Sequence, residues 1–328
     1  MLRYLIRRFL LMIPTLIAIS MLAFLIIQLP PGDFLSSYVT ELRNLGQDVS
    51  HEDTISLRVY YGLDKPMIVQ YWRWFSGLLK GDLGISLQWR RPVGEIILER
   101  LPYSMLISFC AFIFVWVVSI PIGMYSAVRQ YSTGDYIATF IGFLGLAVPE
   151  FLIALIVLWL VFLATGNVLA GLFSPEYMMA AWSWAKLADL LKHLWIPMII
   201  IGTSGTAGAI RVMRANMLDE IERPYVMVAR SKGLTEMHLL LKYPFRIALN
   251  PTMSTIGYLL PSLVGGELLV SIVMGIPSLG PILMQALLSQ DMFLAGSIVM
   301  ILSSLTVIGT LISDLLLAWV DPRIRGSV

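Results

Sequence analysis

Six long stretches of this chain carry at most one charged side chain each: Phe9–Gly32, Leu101–Val128, Tyr136–Pro175 with Glu150, Leu194–Ile210, Ile247–Ile276 with Glu267, and Met292–Val320 with Asp314. No other feature restricts the fold as much. A spanning helix needs about 20 mostly apolar residues, and lipid offers no hydrogen-bond partners to an irregular backbone. The chain is therefore expected to be an all-α integral membrane protein with six transmembrane helices. Composition agrees: 58 % of residues are hydrophobic and only 13 % charged, whereas a soluble domain carries about a quarter charged residues.

Basic residues set the expected orientation. Arg3, Arg7, Arg8 and Arg129, seven more from Arg211 to Arg246, and Arg323 and Arg325 lie on one side. The opposite short loop holds only Lys186 and Lys192. The positive-inside bias, counted over short loops, puts both termini in the cytoplasm. Residues 1–32 then read as an N-terminal transmembrane helix, 33–100 as an extracytoplasmic segment, 101–320 as a five-helix core with a cytoplasmic loop at 211–246, and 321–328 as a cytoplasmic tail. A signal peptide is the rival reading of the N-terminus, but the apolar run is too long and ends in Gln28-Leu29-Pro30-Pro31-Gly32-Asp33 without a cleavage site.

Several chemistries are disfavoured. The single cysteine, Cys110, excludes an intrachain disulfide and a CxxC pair. Three scattered histidines argue against a metal site, and a net charge of +2 gives no basis for nucleic-acid binding. Gly202-Thr203-Ser204-Gly205 reads as GxSG, but the only downstream histidine is His238, in the cytoplasmic loop, and a nucleophilic serine needs a base. A secondary transporter would show two similar halves, which this chain lacks.

The segment 33–100 mixes acidic and basic residues with aromatic clusters such as Tyr71-Trp72-Arg73-Trp74-Phe75. These suit either headgroup anchoring or docking, and Gly81-Asp82-Leu83-Gly84 marks a turn. Gly202, Gly205 and Gly208 fit close helix packing. In the loop 211–246, Pro224 suits a helix first turn and Gly233 a helix stop. Asp219, Glu220 and Glu222 would complement that helix's dipole, and Thr235 would cap a second helix. The resulting helix of about nine residues is too short to span and could pass force from a cytoplasmic partner.

From Tyr225 the loop reads Tyr-Val-Met-Val-Ala-Arg-Ser-Lys-Gly-Leu. This resembles the coupling-loop signature of permease subunits of binding-protein-dependent ABC importers, most closely their dipeptide/oligopeptide/nickel branch. Ala229 and Gly233 match the broader family's loop motif, while Met227 and Val228 replace its Glu and Ala. The likeness extends to Gly62-Leu63-Asp64-Lys65-Pro66, Gln70-Tyr71 with Trp74, Gly81-Asp82-Leu83-Gly84-Ile85-Ser86, Arg100-Leu101-Pro102, Gly145-Leu146-Ala147-Val148-Pro149 and Asp321-Pro322-Arg323-Ile324-Arg325. Departures include Glu150, Ser271 and Pro277-Ser278-Leu279-Gly280.

The resemblance implies a bacterial or archaeal plasma-membrane subunit forming half of a translocation pathway. Its implied partners are a second, related permease subunit, two ATP-binding subunits and an extracytoplasmic solute-binding protein. The chain lacks a GxxxxGK[ST] loop, so ATP and Mg would be bound by the partner ATPases, with no cofactor on this chain and no catalysis of its own. Pro224, Tyr225, Ala229, Arg230, Lys232, Gly233 and Leu234 are the implied coupling residues. Oligopeptides are the first reading of the cargo and oligosaccharides the alternative. Intramembrane acids are costly and usually face a cavity or a partner, so Glu150 and Glu267, with Ser271 one turn on, are candidates for lining the pathway. Asp314 can reach the interface.

Overall fold

The computed structural model describes residues 2–29, 34–35, 38–39, 55–56, 58–59, 62–166, 171–254 and 256–320. The tail 321–328, most of 33–61 and the side chain of Asp314 lie outside the described residues. In chain order the helices are α1 (Leu2–Gln28), α2 (Met67–Leu79), α3 (Val93–Val128), α4 (Thr133–Ala147), α5 (Glu150–Thr165), α6 (Pro175–Met178), α7 (Trp184–Ile221), α8 (Pro224–Ser231), α9 (Glu236–Lys242), α10 (Pro244–Ser254), α11 (Ile256–Met274), α12 (Leu279–Leu288) and α13 (Met292–Val320). Among the described residues there is no strand, only an isolated bridge between Ile85 and Pro92.

Among the described residues, four helices are long and apolar enough to cross a membrane, within α1, α3, α7 and α13, and up to six spans result if each bent helix pair counts as one. The third expected span, Tyr136–Pro175, is not one straight helix. It breaks at Val148-Pro149 into α4 and α5, bent by 103°. Proline disfavours helical backbone in the residue before it, and Val148 is accordingly extended (φ −96°, ψ 123°). Glu150 thus lies in the first turn of α5, directly after the break. The fourth span runs on to Ile221, so the first residues of the loop 211–246 continue a transmembrane helix.

The chain divides into two compact units. Residues 1–103 with 278–307 form one, and 104–277 with 308–328 the other. In the first, α2 lies along α1: Ser20 and Tyr71 share a 2.8 Å hydrogen bond, and Phe24 meets Tyr71 edge-on at 5.4 Å. Trp74 is buried, and its indole fills the space that a side chain at Gly296 would occupy. Of the aromatic cluster, Tyr71 and Trp74 pack inward, while Trp72 stays exposed, as a headgroup anchor would be. The turn at Gly81-Asp82-Leu83-Gly84 forms, with the Asp82 carboxylate accepting from Gly84 N–H at 2.9 Å.

In the second unit α7 is the hub on which α4, α5, α10 and α11 pack. Gly202 meets Phe114 of α3 so closely that a Cβ would approach its ring to 2.6 Å. Gly208, by contrast, faces open space. The small-residue reading therefore holds at one end of the glycine series. α4 also comes close to α7 at Gly145, where a Cβ would lie 2.8 Å from Thr203.

Candidate functional site

The short helix α8 begins at Pro224, and Gly233 follows it with φ +77°, a conformation that favours glycine. Its length, eight residues, is close to the expected nine. Val226 and Ala229, one turn apart, are buried in a cluster with Met213 and Met217 of α7, Leu239 and Leu240 of α9, Ala248 of α10 and Ala127 of α3. Tyr225 and Leu234 pack against its edge. These contacts pack α8 against α7, α9, α10 and α3.

The flanking polar groups depart from expectation. Asp219 and Glu220 lie in the last turn of α7 and Glu222 is its C-cap, so none stands in the first turn of α8. Glu220 instead accepts a 2.5 Å hydrogen bond from the Tyr225 hydroxyl and lies 3.7 Å from Arg223. Burial, reinforced by the Glu220 carboxylate, pushes the Tyr225 phenol well above its ordinary range, so it stays a donor. Thr235 occupies the N-cap of α9 without a side-chain cap bond. Arg230 bridges α8 to α9 through a bidentate pair with Glu236, at 2.6 and 3.1 Å. Arg230 holds the Glu236 carboxyl below its usual range.

The exposed face of this region is apolar. Met227, Val228 and Met237 are each more than half exposed, bordered by exposed Arg230 and Lys232. Met227 and Val228, where the sequence departs from the family motif, thus point outward, while the matching Ala229 is buried. Sequence comparison could not separate these faces, because an eight-residue helix offers barely two turns of periodicity.

Within the membrane-level helices, Glu150 accepts a hydrogen bond from Ser204 of α7, and its carboxylate lies against Gly266 of α11, where any side chain would overlap it. Its Oε2 has no hydrogen-bond donor among the described residues. Ser204, the serine of the GxSG run, is committed to this contact. Glu267, next to Gly266, is fully buried and accepts from Ser271 at 2.6 Å. The structure therefore brings Glu150, Ser204 and Gly266 together, with Glu267 next to Gly266 and Ser271 one turn further along the same helix.

Two polar centres escaped sequence reasoning. Arg214 grips Asp135 with two 2.9 Å hydrogen bonds. Ser86 and Asp291 form a buried tie described below. Neither pair has a sequence signal, because each joins elements far apart in the chain.

Comparison with known proteins agrees with this architecture. Residues 119–326 match the family described as binding-protein-dependent transport system inner membrane component. Residues 1–110 match its companion, binding-protein-dependent transport system membrane component, N-terminal. The chain is similar to the oligopeptide transport system permease protein AppB of Bacillus subtilis (strain 168), at 34 % identity over 98 % of this chain and 99 % of the relative. It is also similar to the dipeptide transport system permease protein DppB of Escherichia coli (strain K12), at 33 % identity over 99 % of both chains. With both family profiles matched in order and the likeness running end to end, the chain belongs to the family of inner-membrane permease components of binding-protein-dependent transport systems.

Proposed function

We propose that this chain is one of two related permease subunits of an ATP-driven importer and forms half of the translocation pathway for oligopeptides delivered by an extracytoplasmic solute-binding protein. The observation that carries this reading is the end-to-end similarity to relatives named as oligopeptide and dipeptide permeases. Two partner ATPases bind ATP and Mg, and this chain holds no cofactor. Its six spans count each bent pair once, both termini face the cytoplasm, and the segment 33–100 lies outside.

In this reading α8 is the coupling helix. Its outward face, Met227 and Val228 with Arg230 and Lys232 beside them, receives the ATPase, and its buried face, Val226 and Ala229, hands the displacement to α7. α7 carries Ser204, which touches Glu150. A push at α8 thereby has a packed route toward the acids proposed to line the pathway: Glu150, and Glu267 with Ser271.

The test is a mild-detergent pull-down of the tagged chain from its native cells, followed by reconstitution of whatever complex is recovered. Recovery of a second permease and two ATPase chains, with ATP-dependent uptake of a labelled peptide, is the expected result. Uptake of an oligosaccharide but not a peptide would reassign the cargo. A chain recovered alone and monodisperse would overturn the importer reading and favour an ATP-independent transporter.

A further inference from the structure

We propose that a pocket between α4 and α7 binds a phosphate-bearing anion, supplied as the headgroup of an anionic phospholipid. The cavity has a volume of about 290 Å³, and its chemistry comes from Tyr131, Asp135, Tyr136, Phe143, Arg211 and Arg214. The acid among these is already satisfied. Asp135 takes both Arg214 hydrogen bonds and a third, at 2.9 Å, from the Tyr131 backbone N–H. That pair is neutral overall, and Arg214 has spent two of its five donors on it.

Arg211 supplies the net positive charge. Its guanidinium lies over the Phe143 ring, 5.1 Å from the centroid, and it has no ion-pair partner among the described residues. Stacking holds a guanidinium flat and leaves its N–H edges free, a geometry suited to two-point binding of phosphate oxygens. Basic pockets between transmembrane helices suit anionic headgroups, and tyrosines at the rim suit the membrane interface.

The face of α4 turned away from the pocket is apolar. Ile137, Phe140, Ile141 and Leu144 follow the three- and four-residue spacing of one helix face and are all exposed. Assignment to the inner leaflet rests on the orientation proposed above, while the phosphate chemistry does not.

The full chain in mild detergent would be incubated separately with dioleoylphosphatidylglycerol, dioleoylphosphatidylcholine or inorganic phosphate, and adducts counted by native mass spectrometry. The readout is independent of orientation and of the importer reading. The expected result is retention of phosphatidylglycerol at concentrations about tenfold lower than phosphatidylcholine, the scale of one lost charge-assisted contact. Arg211→Gln should abolish that preference, Arg211→Lys should keep part of it, and Arg129→Gln, outside the lining, should leave it intact. Binding of inorganic phosphate that depends on Arg211, with no lipid preference, would support the pocket's chemistry and make a soluble phosphate compound its source. Equal retention of both lipids without phosphate binding, or a preference unchanged in Arg211→Gln and Arg211→Lys, would overturn the proposal.

Discussion

Ser86 donates a 2.5 Å hydrogen bond to the carboxylate of Asp291, 205 positions later, and both side chains are wholly buried. The same carboxylate accepts from Gln88 N–H at 3.1 Å and from Leu294 N–H at 3.2 Å. One acid thus pins the segment before α3 to the first turn of α13. Asp291→Ala would orphan three donors and should lower stability by about 3 kcal/mol, against about 1 kcal/mol for Ser86→Ala, read from thermal unfolding in detergent. Equal small losses would mean that the tie is incidental.

The same residue sets a pH dependence. Burial pushes Asp291 above its ordinary 3.8, against the hydrogen bonds that favour its ionised form. Between the ordinary and the native value the folded state holds more protons than the unfolded one. Stability should therefore fall as pH rises through that window and level off above it. Unfolding curves of Asp291→Asn should lack this component, and identical profiles for wild type and variant would contradict it.

Gly233 has φ +77°, and a Cβ there would touch nothing within 4 Å. Alanine meets backbone strain alone, about 1 kcal/mol, while proline cannot adopt the angle at all. In the reconstituted complex, Gly233→Ala should retain most uptake. Gly233→Pro should let ATP hydrolysis continue while uptake stops, and normal uptake in that variant would sink the coupling role of α8.

Arg230 and Glu236 are exposed, and water weakens such pairs. Arg230→Ala should leave the unfolding temperature of the isolated chain unchanged. Its proposed place at the ATPase surface predicts weaker recovery of the ATPase chains, by several fold, with a larger loss for Met227→Asp. Undiminished recovery in both variants would place the docking surface elsewhere.

Gly266 leaves no room for a side chain beside the Glu150 carboxylate. Gly266→Ala should overpack this point by about 1–3 kcal/mol and displace Glu150 from Ser204. Glu150→Gln keeps the shape and should change peptide uptake without loss of subunit assembly. Unchanged uptake in Glu150→Gln would remove this acid from the pathway.

Arg214 and Asp135 test the cost of stranding a charge. The Asp135 side chain is 4 % exposed and that of Arg214 26 %. Arg214→Gln should destabilise the chain by roughly 2–3 kcal/mol, discounted from the 3–5 kcal/mol of a fully buried pair. Adding Asp135→Asn should recover part of the loss in a double-mutant cycle, and strictly additive losses would show that the two do not interact.

The amino-acid sequence determined the class of this protein and much of its loop, because those signals are local. Charge-free runs require membrane helices wherever they stand, and Pro224 and Gly233 bound a helix through their own backbone restrictions. Local pattern also marked the turn at Gly81-Asp82-Leu83-Gly84. Only the tertiary structure decided that Val148-Pro149 breaks a span in two, that Ala229 is buried while Met227 and Val228 face outward, and that Glu150 meets Ser204 and Gly266. It alone joined Ser86 to Asp291 and Arg214 to Asp135. Hydropathy reports how well a segment suits lipid, but not which face of a helix meets another. That choice depends on side chains distant in the chain, where one carboxylate finds its donors only after the helices have packed.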